Sequence, residues 1–121
     1  QKRDFIYVTD LAKAFYDVSN SSHHGEIYNV GAGKPQTINY LVDLISSNSK
    51  NVIHLPKRPG EPDCTWANIS KIKKHTGWKP KVSFNLGVKK MLENIKDWES
   101  APLWNTKSID KATKTWFKYL S

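Results

Sequence analysis

Apolar residues recur along this chain in two rhythms, one of period two and one near 3.6, and the switches between them predict its elements. The run Arg3-Asp4-Phe5-Ile6-Tyr7-Val8 is short and β-prone. Thr9 is then placed to cap a helix carrying Leu11, Ala14, Phe15 and Val18 on one side, ending in the polar cluster Ser19 to Gly25. Glu26-Ile27-Tyr28-Asn29-Val30 predicts a strand, Gly31 to Pro35 a turn, and Thr37 the cap of a helix with Ile38, Leu41, Val42 and Ile45 facing inward. A second strand is expected over Val52-Ile53-His54-Leu55. Strand, helix and strand with short connections predict one right-handed βαβ unit with two parallel strands.

Two prolines and a glycine in Lys57-Arg58-Pro59-Gly60-Glu61-Pro62-Asp63 stop a helix or central strand there, leaving a stiff loop. Cys64 to Ala67 reads as an extended link, and Asn68 as the cap of a short helix burying Ile69 and Ile72. Gly77 is positioned to close that helix in the left-handed conformation, with Trp78 packing back across the cap. After Pro80, Ser83 starts a longer helix with Phe84, Val88, Met91, Leu92, Ile95 and Trp98 along one stripe. Ala101 to Trp104 is a linker, and Thr106 caps a last helix running to about Leu120. The fold expected is a small α/β domain with a short parallel βαβ sheet and about five helices.

Size and charge narrow the function. At 121 residues, with five Trp, five Tyr and four Phe, the chain can bury a modest core. No apolar run approaches the roughly 20 residues needed to span a bilayer. The single Cys64 cannot form an intramolecular disulfide, which fits a reducing, cytoplasmic setting. A net charge of +8 raises nucleic acid as a partner, but the placement of the charge argues against it. Lys107, Lys111, Lys114 and Lys118 recur at helical spacing opposite Ile109, Ala112, Trp116 and Leu120, the wet face of an amphipathic helix. A basic surface of this kind favours anionic metabolites.

The loop around Arg58 is the strongest candidate site. A guanidinium presents a planar fork of donors matched to phosphate oxygens, and the carboxylate of Glu61, three residues on, can accept from sugar hydroxyls. A polar turn with solvated charges is the plainer alternative from spacing alone. Gly31-Ala32-Gly33, between a predicted strand and helix, is not a dinucleotide fingerprint. The third glycine of the G-x-G-x-x-G pattern would fall at Gln36, and Pro35 intrudes. His23 and His24 have no carboxylate or cysteine neighbours at ligand spacing, so no metal site is expected and both read as solvated.

Taken in order, four segments resemble the C-terminal, substrate-binding part of the extended short-chain dehydrogenase/reductase family, the NAD-dependent nucleotide-sugar epimerases and dehydratases. They are Arg3-Asp4-Phe5-Ile6-Tyr7-Val8-Thr9-Asp10, Tyr28-Asn29-Val30-Gly31-Ala32-Gly33, Arg58-Pro59-Gly60-Glu61-Pro62 and Gly77-Trp78-Lys79-Pro80. The resemblance implies a substrate-binding domain over residues 1–100 and a C-terminal helical extension over 101–121. It implies that Arg58 contacts the substrate diphosphate, Glu61 the ribose hydroxyls, and Arg3 the phosphates as a second arginine. Asn68 stands where the family often has Asp, and either residue caps the helix.

The resemblance also implies what the chain lacks. Family members hold NAD on an N-terminal glycine-rich Rossmann motif and use a Tyr-x-x-x-Lys pair as acid and base. Four residues after Tyr7, Tyr16, Tyr28 and Tyr40 come Leu11, Asn20, Ala32 and Leu44, so no such pair exists here. The chain is therefore expected to hold no cofactor and no catalytic residue of its own. It would supply the nucleotide-diphosphate-sugar grip of an enzyme whose NAD and chemistry lie in a Rossmann part, with a homodimer as the assembly expected of the intact enzyme. The alternatives are a stand-alone module binding nucleotide sugars or other anions without catalysis, and a basic nucleic-acid-binding domain.

Overall fold

The computed structural model describes residues 1–46 and 52–120. In chain order the elements are β1 (Lys2–Arg3), α1 (Val8–Ser19), β2 (Gln36–Thr37), α2 (Ile38–Ile45), α3 (Ser70–Thr76), α4 (Phe84–Glu93), a 3-10 turn (Ile95–Trp98) and α5 (Thr106–Leu120). Five α-helices among the described residues match the sequence expectation.

The sheet does not. β1 and β2 pair antiparallel, Lys2 opposite Thr37 and Arg3 opposite Gln36, and Lys2 also makes a parallel bridge to Cys64. The expected parallel βαβ unit is therefore corrected to a two-stranded antiparallel ribbon held at the chain start. Residues 26–30 and 52–55 run without a ladder partner among the described residues. Residues 26–30 still alternate as a strand would, Tyr28 and Val30 turning toward the core while Ile27 is 86 % exposed, whereas residues 52–55 are exposed throughout. A strand is a pairing, and alternation alone does not make one.

Local chemistry explains most helix ends. The Thr37 hydroxyl accepts from the Tyr40 N–H at 3.0 Å, and the Ser83 hydroxyl from the Leu86 N–H at 3.3 Å, as the sequence predicts. Gly77 takes φ +71°, the left-handed cap conformation. Asn68, expected to cap α3, lies one residue before the actual N-cap, Ile69, though its Oδ1 still accepts from the Ser70 N–H. Thr9 is not a cap; α1 begins at Val8, with Tyr7 at the N-cap position and no side-chain bond. Before α5, Asn105 and Ser108 exchange side-chain and backbone bonds, so the cap is Asn105 rather than Thr106. The helix expected from Ser83 through Trp98 breaks at Asn94, whose side chain donates to the Lys90 carbonyl.

The buried core is small: Ala14 from α1, Ile69 and Ile72 around α3, and Trp78, with Ile6, Val18, Tyr28, Val30 and Ala67 packed against it. Trp78 donates its Nε1–H to the Asp10 carbonyl at 3.0 Å, so its polar atom is satisfied inside the core. The Asp10 carboxylate accepts from the Lys81 and Val82 N–H groups at 2.9 and 2.8 Å and ties the segment after Trp78 to α1. Several residues expected to face inward do not: Phe15, Ile45, Met91, Leu92, Ile95 and Trp98 are exposed.

Candidate functional site: a carboxylate between two arginines

The Arg58 loop is fixed at both ends. β1 draws the chain start beside the segment that follows the loop: the Lys2 N–H donates to the Asp63 carbonyl at 2.7 Å, and the Thr65 N–H to the Lys2 carbonyl at 3.1 Å. Within the loop the Glu61 N–H reaches the Arg58 carbonyl at 3.3 Å, closing a turn with Gly60 at φ +72°. Lys57 and Asp63 pair across the loop base at 2.5 Å.

This scaffold brings Arg3, Arg58 and Glu61 together, although Arg3 and Glu61 lie 58 positions apart in sequence. Arg58 donates from Nε to Glu61 Oε2 at 3.1 Å and from Nη2 to Oε1 at 2.9 Å, a bidentate fork. Arg3 donates from Nη2 to the same Oε1 at 3.2 Å, and from Nη1 to the carbonyls of Lys2 at 2.8 Å and Pro62 at 3.0 Å. The Glu61 side chain is 14 % exposed. The hydrogen bonds from Arg58, then Gln1, and the charges of Arg58 and Arg3 outweigh burial and hold its carboxyl down at about 2.

The trio carries one net positive charge at neutral pH, and its donors are only partly spent. A guanidinium has five N–H groups. The Nη1 edge of Arg58 has no hydrogen-bond partner among the described residues, and neither does Nε of Arg3. Glu61 Oε1 accepts from both guanidinium groups and Oε2 from Arg58, and Gln1 also hydrogen-bonds the carboxylate. Chemically this is an organised cationic surface with free planar donors.

The glycine loop is the opposite case. The Asp4 carboxylate accepts from the N–H groups of Gly33 at 3.0 Å, Lys34 at 3.3 Å and Ala67 at 3.0 Å. A Cβ on Gly31 would lie 2.5 Å from Asp4 Oδ2 and 2.7 Å from the Ala67 Cβ, so only glycine lets the loop close on that acid. The amides that would cradle a cofactor phosphate already hold an internal anion. These residues do not fit NAD.

His23 is exposed yet not merely solvated: its ring stacks on His75 at 3.9 Å, and the Tyr28 hydroxyl meets His75 Nδ1 at 2.9 Å. No group of three or more His, Cys, Asp or Glu able to hold a metal occurs among the described residues. No helix among them is long and apolar enough to cross a membrane.

Sequence reasoning missed two contributors. Asp4 was legible only as part of a β-prone run. Trp116, read as the buried face of α5, instead reaches the Arg58 loop. Neither contact leaves a signal in spacing, because each joins segments far apart in the chain.

Residues 1–91 match the family described as GDP-mannose 4,6 dehydratase, and the chain belongs to that family. It is the C-terminal part of an extended short-chain dehydrogenase/reductase of the nucleotide-sugar epimerase and dehydratase type. Among curated relatives, the dTDP-glucose 4,6-dehydratase 1 of Escherichia coli (strain K12) is 33 % identical over 121 residues, which cover 91 % of this chain and 32 % of that protein. The UDP-glucose 4-epimerase of Thermotoga maritima, solved with UDP-glucose, superposes with a TM-score of 0.70 at 29 % identity, over 79 % of this chain and 32 % of that one. The UDP-glucuronic acid 4-epimerase of Bacillus cereus, solved with UDP-glucuronic acid and NAD, gives 0.71 at 30 % identity, over 80 % and 32 %. The chain thus spans about a third of the length of the relatives it matches.

Proposed function

We propose that this chain is the substrate-gripping part of an NAD-dependent nucleotide-sugar epimerase or dehydratase, with Arg3, Arg58 and Glu61 holding the nucleoside diphosphate. The observation that carries this reading is the convergence of the three side chains with the Nη1 edge of Arg58 still open. A diphosphate supplies the planar-matched oxygens that such an edge takes up, and the net positive charge draws it in. Glu61 then has two tasks. It sets the direction of both guanidinium groups, and its carboxylate accepts from a ribose hydroxyl, which takes the place of Gln1.

NAD is assigned to the remaining part of the full-length protein, since the glycine loop here is filled by Asp4. When bound, NAD supplies reversible hydride transfer at a sugar carbon. The contribution of this chain is positioning: gripping the nucleotide end fixes where the sugar ring projects. We assign residues 101–121 to the same unit as residues 1–100, because α5 reaches the binding loop.

Calorimetry of the full-length protein with UDP-, dTDP-, GDP- and CDP-sugars tests the reading. One nucleotide is expected to bind, and Arg58→Ala is expected to weaken it about tenfold or more. Affinities unchanged by Arg58→Ala for all four would remove the loop from the function.

A further inference from the structure

The side chain that completes the Arg58 site comes from the other end of the chain. Trp116 on α5 places its ring 5.2 Å from the Arg58 guanidinium carbon, and its Nε1–H donates to the Pro59 carbonyl at 2.7 Å. The two contacts fall on neighbouring residues of one loop, so ring and backbone anchor act together. On its other flank the guanidinium is forked to Glu61. Arg58 is thereby constrained on a face by the indole and on an edge by the carboxylate, and the edge left over is the one bearing Nη1.

We infer that Trp116 is a positioning residue for Arg58: α5 reaches back to hold the guanidinium in its ligand-ready pose before any nucleoside diphosphate arrives. The inference rests on the proposed role of Arg58. Its physical basis is preorganisation. A free arginine side chain has much rotamer freedom to lose, and part of that loss falls on binding unless the protein has already imposed it. An indole is the best aromatic partner for a cation, and a guanidinium held over it by cation–π attraction keeps its N–H groups for other partners. Trp116 remains 40 % exposed, so this contact lies at the surface and not in the core.

The test compares Trp116→Leu, Trp116→Phe and Arg58→Ala in the full-length protein, with nucleoside diphosphate affinity read by calorimetry. Leucine fills space but lacks both the π-face and the N–H; phenylalanine keeps a ring and lacks only the N–H. Trp116→Leu is expected to weaken the preferred nucleoside diphosphate about fivefold, Trp116→Phe about twofold, each less than Arg58→Ala. The double variant Trp116→Leu with Arg58→Ala is expected to bind no more weakly than Arg58→Ala alone, since Trp116 would act only through Arg58. A role confined to stability would leave affinity unchanged in both Trp116 variants, or make the double variant's losses multiply; either result overturns the inference. If Arg58→Ala weakens binding while both Trp116 variants bind as wild type, only this inference fails. If Arg58→Ala itself binds as wild type, the proposed function fails and takes the inference with it.

Discussion

Two loops of this chain look alike on paper and behave oppositely. Gly31 to Pro35 and Lys57 to Asp63 are both short, both contain glycine and proline, and both link segments with strand-like patterning. In the first, backbone N–H groups converge on an anion that the protein itself provides, the Asp4 carboxylate. In the second, the internal acid Glu61 takes up part of two guanidinium groups and leaves donors over. The lesson is that a glycine-rich turn becomes a phosphate cradle only if its amides are unspent, and an arginine loop becomes a grip only if its carboxylate does not consume every N–H.

The largest break in that comparison is at Asp4. Asp4→Ala strands three N–H groups in a partly buried setting and is expected to cost about 3 kcal/mol of stability, with Asp4→Asn, which keeps one acceptor oxygen, costing about half as much. Urea unfolding measures both; midpoints unmoved by either change would mean the glycine loop is not held from within. Gly31→Ala comes next, at about 2 kcal/mol, because its Cβ would collide with Asp4 and Ala67 rather than with a flexible tip. An unchanged midpoint there would show that the loop yields.

Arg58→Ala should do the reverse, shifting ligand affinity about tenfold while stability falls by no more than about 1 kcal/mol, as expected for a partly exposed ion pair whose carboxylate keeps Arg3. The smallest effect is the acid response of Glu61. Its folded carboxyl titrates at about 2 against an ordinary 4.5, so its pairing stabilises the fold above pH 4.5 and is lost as pH falls through 2. Glu61→Gln should therefore differ from wild type in thermal midpoint near pH 6 and converge with it toward pH 2. A gap that widens on acidification would reverse the assigned direction.

How far the sequence could be read follows the same divide between local and distant partners. Thr37, Ser83 and Gly77 act within their own helix ends, and their roles were legible from residue type and position. Residues 26–30 carry strand alternation and 52–55 an apolar run, but pairing needs a neighbour that one sequence does not reveal. Arg58 and Glu61 could be singled out because they stand three residues apart on one stiff loop. Their meeting with Arg3 depended on β1 lying beside Cys64, which only the folded chain displays. The apolar stripes of α2 and α4 were real patterns, and Ile45, Met91 and Leu92 nevertheless face outward, because periodicity specifies a face and not what covers it.

Two side chains far apart in sequence, Arg3 and Trp116, are tethered to the same short loop through carbonyl oxygens of Pro62 and Pro59. Main-chain oxygens survive every substitution at their own positions. An alanine scan confined to that connector would thus register 59 and 62 chiefly as losses of stiffness, while the knots joining far-separated stretches of the polypeptide there would show up only when the distant donors are changed.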